Sequence, residues 1–274
     1  MRAIFKKSLQ RAWTMIILLW FQLTGRKSCI ELGRSARFSL SSRIRLQRGT
    51  KLILGNHSSL DGTVTLANGS RLTIGTRSVI NRVDISGDGG CIDIGEANWW
   101  NAYSEKCRMR VQVRAGELRT ENNVILDVGS LMVKPGAKMS FGEYASVGER
   151  TEIRAEAGVR VGAYTMISYD VSIFDSNTHS LRPEDRRREV HTYFSGPVEL
   201  GKVRREPVAI GSDCWIGHSA SILKGASLGD RCIVGTHAVV PAGNYPADST
   251  LVAAKLRILN STSTQTKSEQ DCHR

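Results

Sequence analysis

The stretch from Pro207 to Val240 repeats an aliphatic residue every six positions, and this period restricts the fold more than any other feature. The repeated residues are Ile210, Ile216, Ile222, Leu228, Val234 and Val240. A helix needs apolar residues at 3.6-residue spacing and an ordinary strand needs strict alternation, so neither accounts for this period. Six-residue repeats are typical of parallel β-helices, in which each aliphatic side chain points into a prism of short parallel strands. We therefore expect a β-helix here.

Two further positions of the repeat are also regular. Glycine follows four of the aliphatic residues directly, at Gly211, Gly217, Gly229 and Gly235. A small residue stands four positions after each of the first five, at Cys214, Ala220, Ala226, Cys232 and Ala238. We expect the glycines to adopt a turn conformation that is closed to most residues, and the small side chains to lie at inner corners.

The sequence PVAIGSDCWIGHSASILKGASLGDRCIVGTHAVV resembles the C-terminal coils of the hexapeptide-repeat acyltransferases, in particular of their sugar and capsular polysaccharide O-acetyltransferase branch. The resemblance is close over about residues 140–257 and looser before them. It implies an all-β fold, a left-handed parallel β-helix with three six-residue sides per coil. It also implies acyl transfer from acetyl-CoA to a sugar or polysaccharide acceptor, and a homotrimer with its sites between subunits.

Before this stretch the six-residue rhythm is imperfect. Residues 96–110 break the rhythm, and we expect them to form a loop or an edge decoration. Because a solenoid grows by stacking, one continuous β-helix domain of residues 49–259 is the simplest interpretation. Residues 175–206 contain no repeat and are long, polar and charged. A long loop that interrupts a regular scaffold is usually functional or disordered, and its position between two repeat blocks favours function.

The N-terminal region carries most of the positive charge. The formal net charge is +12, and residues 1–50 contain eleven Lys or Arg against a single acid, Glu31. Residues 2–23 are predicted to form a helix, basic at first and then apolar over about ten residues, whereas a membrane span needs about 20. Two interpretations remain open: an interfacial helix on an anionic membrane, or a cap over the first coil. We therefore assign residues 1–48 to a basic N-terminal helix or cap that precedes the β-helix domain, with either interpretation open.

The C-terminal residues 260–274 are polar, and we expect them to form a disordered tail.

The cysteines bear on where the protein is located in the cell. Cys214 and Cys232 are 18 positions apart, one full coil, so they should stack inside the β-helix as buried free thiols. Free thiols indicate a reducing compartment. The sequence therefore predicts a cytoplasmic protein, held at the inner face of the membrane if its N-terminal helix binds lipid.

The candidate catalytic site is the start of the long loop, SYDVSIFDSNTHS. In capsular O-acetyltransferases a similar stretch ends in a histidine that acts as general base, and by this resemblance His179 is the catalytic residue. A sugar hydroxyl is a poor nucleophile and needs a base that works near neutral pH, which suits imidazole. Asp175 lies four residues earlier and would orient the imidazole, as the carboxylate does in a catalytic triad. The alternative for Asp175 is a turn-forming residue at the end of a strand.

Two substrate-binding residues are predicted beside this loop. Trp215 lies in the DCWIG turn, where the resembling enzymes carry a tryptophan that lines the acceptor and thioester site; the alternative is a ring packed against a neighbouring subunit. Arg182 begins a basic group in the loop, which is completed by Arg186, Arg187 and Arg188. Such a group attracts acidic polysaccharide or simply faces solvent. No motif indicates nucleic-acid binding.

The predicted donor-binding residues are Gly217, His218, Gly235, Lys255 and Arg257. The segment VAAKLR stands where the family has Gly-Asn-Pro-Ala-Lys-Val-x-Arg, so Lys255 and Arg257 match its basic pair and are expected to meet the phosphates of coenzyme A. Gly217 and Gly235 are expected to let the coenzyme approach the backbone, and His218 to contact it. The histidines include no closely spaced pair of ligand type, so no metal is expected.

These features predict an acetyl-CoA-dependent O-acetyltransferase acting on a sugar hydroxyl of a polysaccharide or its precursor. One alternative is an N-acyltransferase acting on an amino sugar, because the same residues serve both reactions. A second is a non-enzymatic β-helix scaffold that has lost donor binding. The absence of the family's Gly-Asn-Pro, and Pro241 and Ala242 in place of its usual Thr-Lys, favour the scaffold. The loop that carries His179 favours an enzyme.

Overall fold

The computed structural model describes residues 9–10, 12–17, 28–101, 108–196 and 203–253. The expected tail of residues 260–274 lies outside this part of the chain, as do Lys255 and Arg257. Within it, every pairing between named strands is parallel, and strands far apart in sequence stack directly on one another. This is the arrangement of a solenoid, and the prediction of a left-handed parallel β-helix is confirmed.

Two hydrogen-bonded sheets form the walls of the β-helix. The ten-stranded sheet contains β1 (Cys29–Leu32), β4 (Lys51–Leu54), β6 (Arg71–Ile74), β8 (Cys91–Ile94), β11 (Glu117–Thr120), β14 (Lys138–Phe141), β17 (Gly158–Val161), β20 (Val208–Ile210), β23 (Ala226–Leu228) and β26 (Gly243–Tyr245). The seventeen-stranded sheet contains β2 (Arg37–Phe38), β3 (Arg43–Leu46), β5 (Ser59–Ala67), β7 (Val79–Asp88), β9 (Trp99–Trp100), β10 (Met109–Arg114), β12 (Ile125–Leu126), β13 (Ser130–Val133), β15 (Ser146–Val147), β16 (Glu152–Ala155), β18 (Met166–Ile167), β19 (Ser172–Phe174), β21 (Trp215–Ile216), β22 (Ser221–Leu223), β24 (Ile233–Val234), β25 (Val239–Val240) and β27 (Thr250–Leu251).

The coils are not all of one length, which explains the imperfect rhythm of the first half. Lys138 pairs with Gly158, twenty positions later, whereas Ala209 pairs with Ser227, eighteen positions later. Three six-residue sides give eighteen residues, so the longer coil carries two additional residues. The strict hexapeptide period therefore holds only in the last coils, while the stacking itself is continuous.

The β-helix also begins earlier than the sequence indicated, and it continues into residues 96–110, where a loop was expected. Strand β1 already pairs with β4, so the boundary predicted at residue 49 is wrong and the first coil starts near Cys29. Residues 96–110 are only in part the expected loop, because Trp99 pairs with Val79 and Trp100 is fully buried in the core. Residues 102–107 lie outside the described part of the chain.

The core is a column of aliphatic side chains from successive coils. The six residues of the strict repeat are at most 3% exposed, and the small residues at the inner corners are buried with them. Cys214 and Cys232 are buried free thiols, as predicted. Full burial of an aliphatic side chain of this size stabilises the fold by about 1.5–3 kcal/mol. The column is therefore the main source of stability of the β-helix.

The glycines of the repeat serve close packing between coils rather than a special turn. Gly211 has no left-handed backbone conformation; Asp213, two positions later, has φ 55°. A Cβ atom added to Gly211 would lie 2.5 Å from the carbonyl carbon of Gly229 in the next coil. The prediction for the glycine backbone was therefore wrong. Gly211, Gly217 and Gly229 are needed because successive coils approach too closely there for a side chain.

Residues 9–10 and 12–17 are helical and cover the first coil. The side chain of Ile17 packs against the core, and the Thr14 hydroxyl accepts a hydrogen bond from the backbone N–H of Phe38 at 3.1 Å. These contacts support the interpretation of the segment as a cap. In the described residues, no helix combines the length and apolar character that crossing a membrane requires.

The long loop lies between β19 and β20 and contains an α-helix, Pro183–Ser195, which we call the loop helix. Pro183 is in its first turn, where proline's fixed φ suits a helix start. Glu184 and Asp185 are also in the first turn, where negative charge is stabilised by the helix dipole. The insertion was predicted, but the helix within it was not.

Candidate functional site

His179 lies in a turn that joins β19 to the loop helix. The backbone N–H of His179 donates to the carbonyl of Asn177 at 2.6 Å, and the N–H of Asn177 donates to the carbonyl of Arg204 at 3.1 Å. The imidazole is about half exposed, at 51%. Its Nε2 atom makes no hydrogen bond within the described part of the chain, so this nitrogen is available to a ligand.

The other ring nitrogen is held by a carboxylate that the sequence analysis did not single out. Nδ1 of His179 lies 2.7 Å from Oε1 of Glu189, whose side chain is only 3% exposed. The hydroxyl of Tyr193 also reaches this oxygen, at 3.5 Å. Because an ionised carboxylate only accepts hydrogen bonds, the contact places the proton of a neutral imidazole on Nδ1 and leaves Nε2 as the basic atom.

The residue after His179 attaches the turn to the first turn of the loop helix. The Ser180 hydroxyl donates to Asp185 at 2.8 Å, and the Arg186 guanidinium donates to the Ser180 carbonyl at 2.8 Å. The hydrogen bond from Ser180 is the main cause that lowers the pKa of Asp185; burial opposes it, and the nearby Arg188 lowers it further. The loop helix therefore binds the turn at both His179 and Ser180.

Asp175 does not orient His179, and this prediction was wrong. Its carboxylate accepts hydrogen bonds from three consecutive backbone N–H groups of the preceding coil, those of Glu156, Ala157 and Gly158, at 2.6–3.0 Å. Burial raises the pKa of Asp175, while the three amides oppose that rise. The alternative reading, a turn-stabilising aspartate at a strand end, is the one that the geometry supports.

The side chain of Trp215 projects outward in a row of exposed apolar residues. Trp215 pairs in register with Met166 in the preceding coil and with Ile233 in the following one. Trp215 is 57% exposed and Met166 is 60% exposed. No hydrogen bond, ion pair or ring contact within the described residues joins Trp215 to His179. The row thus forms an apolar strip on one outer face of the solenoid.

His218 belongs to a polar cluster at a corner of the last coils. Its Nε2 atom lies 2.9 Å from the Ser219 hydroxyl and 3.5 Å from Oδ2 of Asp170. Its ring contacts those of Tyr169 and His237, at centroid distances of 4.3 and 5.2 Å. A bidentate contact from Arg150 is the main cause that lowers the pKa of Asp170. Ser219 is the sequence neighbour of His218, and the other members of the cluster are brought to His218 by the stacking of successive coils.

The other predicted binding residues differ in what surrounds them. A Cβ atom on Gly217 would lie 2.8 Å from the backbone nitrogen of Thr236, so packing against the next coil, not ligand approach, accounts for this glycine. At Gly235 the nearest atom, the carbonyl oxygen of Leu251, would be 3.4 Å away, an ordinary contact. Arg182 is exposed and makes no ion pair in the described part of the chain.

No group of three or more His, Cys, Asp or Glu side chains in the described residues is arranged to hold a metal ion. The geometry of His179 suits proton transfer by an imidazole whose Nδ1 side is fixed by Glu189. Sequence reasoning missed Glu189 because the loop helix was not predicted. Its only signal is a spacing of ten residues from His179 within a charged loop.

Comparison with known proteins agrees with the hexapeptide assignment. Residues 207–242 match the family model described as bacterial transferase hexapeptide (six repeats). A probable acetyltransferase, Rv3034c, of Mycobacterium tuberculosis is 30% identical over 136 residues, which are 45% of this chain and 44% of that protein. The chain therefore spans less than half the length of this curated relative.

Solved structures that align with most of this chain at low identity were also found. The polySia-specific acetyltransferase NeuO aligns over 86% of this chain and 85% of its own, with 15% identity and a TM-score of 0.44. The polysialic acid O-acetyltransferase OatWY aligns over 86% and 94%, with 17% identity and a TM-score of 0.27. The N-acyltransferase AntD from Bacillus cereus aligns over 88% and 86%, with 12% identity and a TM-score of 0.25.

Residues 207–242 thus carry bacterial transferase hexapeptide repeats, and the described part of the chain has the left-handed β-helix fold.

Proposed function

We propose that the protein is an acetyl-CoA-dependent O-acetyltransferase that acts on a sugar hydroxyl of a polysaccharide or its precursor. The observation that carries the proposal is the imidazole of His179, which has one nitrogen on a buried carboxylate and the other free. This imidazole stands in the one described insertion that separates two blocks of a hexapeptide solenoid. The relative from M. tuberculosis, named a probable acetyltransferase, supports the reaction class.

In the proposed reaction His179 acts as general base on the acceptor. Nε2 takes the proton of the sugar hydroxyl as the hydroxyl oxygen bonds to the thioester carbonyl carbon. The carbonyl oxygen gains negative charge and needs a hydrogen-bond donor. The tetrahedral intermediate collapses by breaking the carbon–sulfur bond, and the coenzyme A sulfur leaves with the proton that the imidazolium returns. The acetyl ester and the free thiol are the products, and no covalent enzyme intermediate is required.

Donor and acceptor binding are proposed from the residues around this reaction. The exposed ring of Trp215 would line the site, and Arg182 would attract an acidic acceptor from its exposed position. His218 would contact the donor, and Gly235 leaves ordinary van der Waals space beside the backbone. Lys255 and Arg257, outside the described residues, would meet the coenzyme phosphates.

A homotrimer with sites between subunits belongs to the same proposal. The support is the exposed apolar strip of Met166, Trp215 and Ile233, since a contiguous apolar strip on an otherwise polar surface is typical of a surface that another protein covers. A cytoplasmic location, where acetyl-CoA is available, is likewise proposed; the free thiols Cys214 and Cys232 support a reducing compartment.

The deciding experiment measures acetyl transfer by purified protein to a panel of acidic and neutral oligosaccharides. We expect transfer by the wild type, a loss of about 10²- to 10⁴-fold in turnover for His179→Ala, and wild-type turnover for His191→Ala, an exposed histidine of the loop helix. Calorimetry of acetyl-CoA binding accompanies it. A folded wild type that neither binds acetyl-CoA nor transfers acetyl groups would favour the scaffold, and transfer only to amino sugars would favour the N-acyltransferase.

A further inference from the structure

We propose that Glu189 is a positioning residue for the reaction, and that the loop helix delivers it to His179. This inference rests on the proposed function, because it assigns the residue that orients the proposed base. Its structural basis is the 2.7 Å contact between Glu189 Oε1 and His179 Nδ1. A buried carboxylate needs a partner of this kind, because burying an unpaired charge is costly.

The contact with Glu189 fixes which ring nitrogen of His179 can act as the base. Glu189 accepts from Nδ1, so the ring is held in the tautomer with a basic Nε2, and the imidazolium formed during reaction is stabilised by the carboxylate. The groups that face this pair are the Tyr193 hydroxyl, at 3.5 Å from the same oxygen, and the Ser180 contacts to Asp185 and Arg186. Arg188 pairs with Asp185 and not with Glu189.

The loop helix buries little apolar surface of its own. Its residues Val190, Tyr193 and Phe194 are all more than half exposed, and Glu189 is the only fully buried residue in it. The helix is thus anchored by polar contacts to the catalytic turn more than by a hydrophobic face. If the loop helix left its place on the solenoid, Glu189 would no longer contact His179. The position of the helix and the ability of His179 to act as a base therefore change together.

Glu189→Gln tests the inference because it keeps the shape and removes the charge. We expect kcat to fall about 10- to 100-fold with KM nearly unchanged, as for a group that acts mainly in the transition state. Glu184→Gln, an exposed acid in the same helix, is the matched control and should change neither quantity.

A second measurement needs no turnover. The tautomer of the His179 imidazole, read from its ¹⁵N and ¹H NMR signals in the full chain, reports directly on the contact. We expect the Nδ1–H tautomer in the wild type and a loss of that preference in Glu189→Gln, while the signals of His191 should stay in place. An unchanged tautomer with wild-type kcat would overturn the role of Glu189. Full activity in His179→Ala would instead overturn the proposed function, and the tautomer would then decide the Glu189 contact alone.

An independent observation concerns the N-terminal end of the solenoid, and from it we infer a docking surface for an anionic lipid bilayer. A cavity of about 390 Å³ opens between the helical cap and β3, lined on its apolar side by Trp13, Ile16, Ile17 and Ile44. Arg43 and Arg45 line the same cavity, and both are exposed. An apolar recess rimmed by cations fits a lipid with an acyl chain and an anionic headgroup.

Few acidic side chains lie beside the arginines of the first coil. Later arginines include some with no ion pair in the described residues, such as Arg114 and Arg119, and some that pair with a carboxylate of the neighbouring coil, as Arg231 does with Asp248 and Arg71 with Asp93. Arg43 and Arg45 instead stand in register with Thr63 and Thr65. The first-coil arginines that have no ion pair in the described residues are Arg34, Arg37, Arg43, Arg45 and Arg48. The positive charges of these five arginines are therefore available to bind an external anion.

Apolar side chains beside these arginines complete the surface. Met15 and Ile16 are more than half exposed on the helical cap, and Leu40 is exposed on the first coil. Each basic residue near an anionic membrane strengthens binding about fivefold, and buried apolar area strengthens it further. A soluble polyanion would use the arginines but would have no use for the apolar side chains. A bilayer uses both.

Flotation of the full chain with phosphatidylcholine vesicles, with and without phosphatidylglycerol, tests this surface. We expect binding only to the anionic vesicles, about a tenfold or greater loss for Arg43→Gln with Arg45→Gln, and a loss for Ile16→Ser. The control pair Arg114→Gln with Arg119→Gln removes two exposed charges from the middle of the solenoid and should bind as the wild type. Absence of binding, equal loss in the control pair, or wild-type binding by Ile16→Ser would overturn the inference.

Discussion

Oδ2 of Asp175 accepts the backbone N–H of Gly158 at 2.6 Å, across the boundary between two coils. With the amides of Glu156 and Ala157 it satisfies three donors at a corner where the long loop departs. Removing the carboxylate leaves these donors unpaired. We expect Asp175→Ala to lower the free energy of unfolding by about 1–3 kcal/mol, measured by urea titration. Glu117→Ala, which removes an exposed carboxylate whose ion pair with Lys138 is screened by solvent, is a comparison in which no such loss is expected.

The kinetic consequence separates this role from the one that the spacing to His179 suggested. If Asp175 only stabilises the corner, folded Asp175→Asn should retain most of its kcat, whereas Glu189→Gln should not. A large loss of kcat in Asp175→Asn, with the pH–rate profile shifted and stability unchanged, would restore the triad interpretation.

The fold could be predicted from the sequence because each of the last coils repeats the same pattern of inward-facing aliphatic residues. Ile210, Ile216 and Ile222 each specify an inward position locally, and parallel stacking follows from their period. The corner conformation could not be read in the same way. Residues such as Asp213, Arg231 and His237 adopt a left-handed φ there, and they share no side-chain type. The requirement falls on backbone geometry, which a period of aliphatic residues does not reveal.

The candidate site was only partly predictable for a related reason. His179 follows a repeat block at a place where the resembling enzymes have a histidine, so a motif marks it. Glu189 belongs to a polar segment without period, and its contact to His179 exists only because Pro183 and the acids of the first turn begin a helix there. Asp175 was the nearer carboxylate in sequence, but its side chain turns to the backbone amides.

Close stacking of the coils gives a prediction for the repeat glycines. In Gly211→Ala the new Cβ atom would lie 2.5 Å from the backbone of Gly229, which cannot move as a flexible side chain would. We expect a loss of about 1–3 kcal/mol in the free energy of unfolding, as for overpacking in a rigid core. Gly196→Ala, where a Cβ atom meets nothing within 4 Å, should leave the unfolding curve in place. Equal stability of the two variants would show that the coils can separate at little cost.

The exposed apolar strip gives a prediction for assembly. Met166→Asp places a charge in the strip beside Trp215, and a charge buried at a protein interface without a partner is strongly unfavourable. We expect this variant to sediment as a monomer at concentrations where the wild type forms a trimer, measured by analytical ultracentrifugation. Val239→Asp, a similarly exposed position on β25, is the matched control. A monomeric wild type, or a trimeric Met166→Asp, would contradict the proposed arrangement.

The last prediction concerns pH and the final coils, where Arg231 and Asp248 form two hydrogen bonds at 2.7 and 2.9 Å. The Arg231 guanidinium lowers the pKa of Asp248 below its ordinary value, and Asp248 raises that of Arg231. A carboxyl group whose pKa is lower in the folded state contributes stability above its unfolded pKa and loses it as pH falls through the folded one.

Asp248→Asn should therefore lower the thermal midpoint slightly at neutral pH, because both partners are exposed and solvent screens the pair. The difference from the wild type should narrow as pH falls below about 4, where the wild-type carboxyl group takes up its proton. Scanning calorimetry over this pH range measures both. A difference that stays constant down to acid pH would mean that Asp248 acts through packing of the last coil and not through its charge.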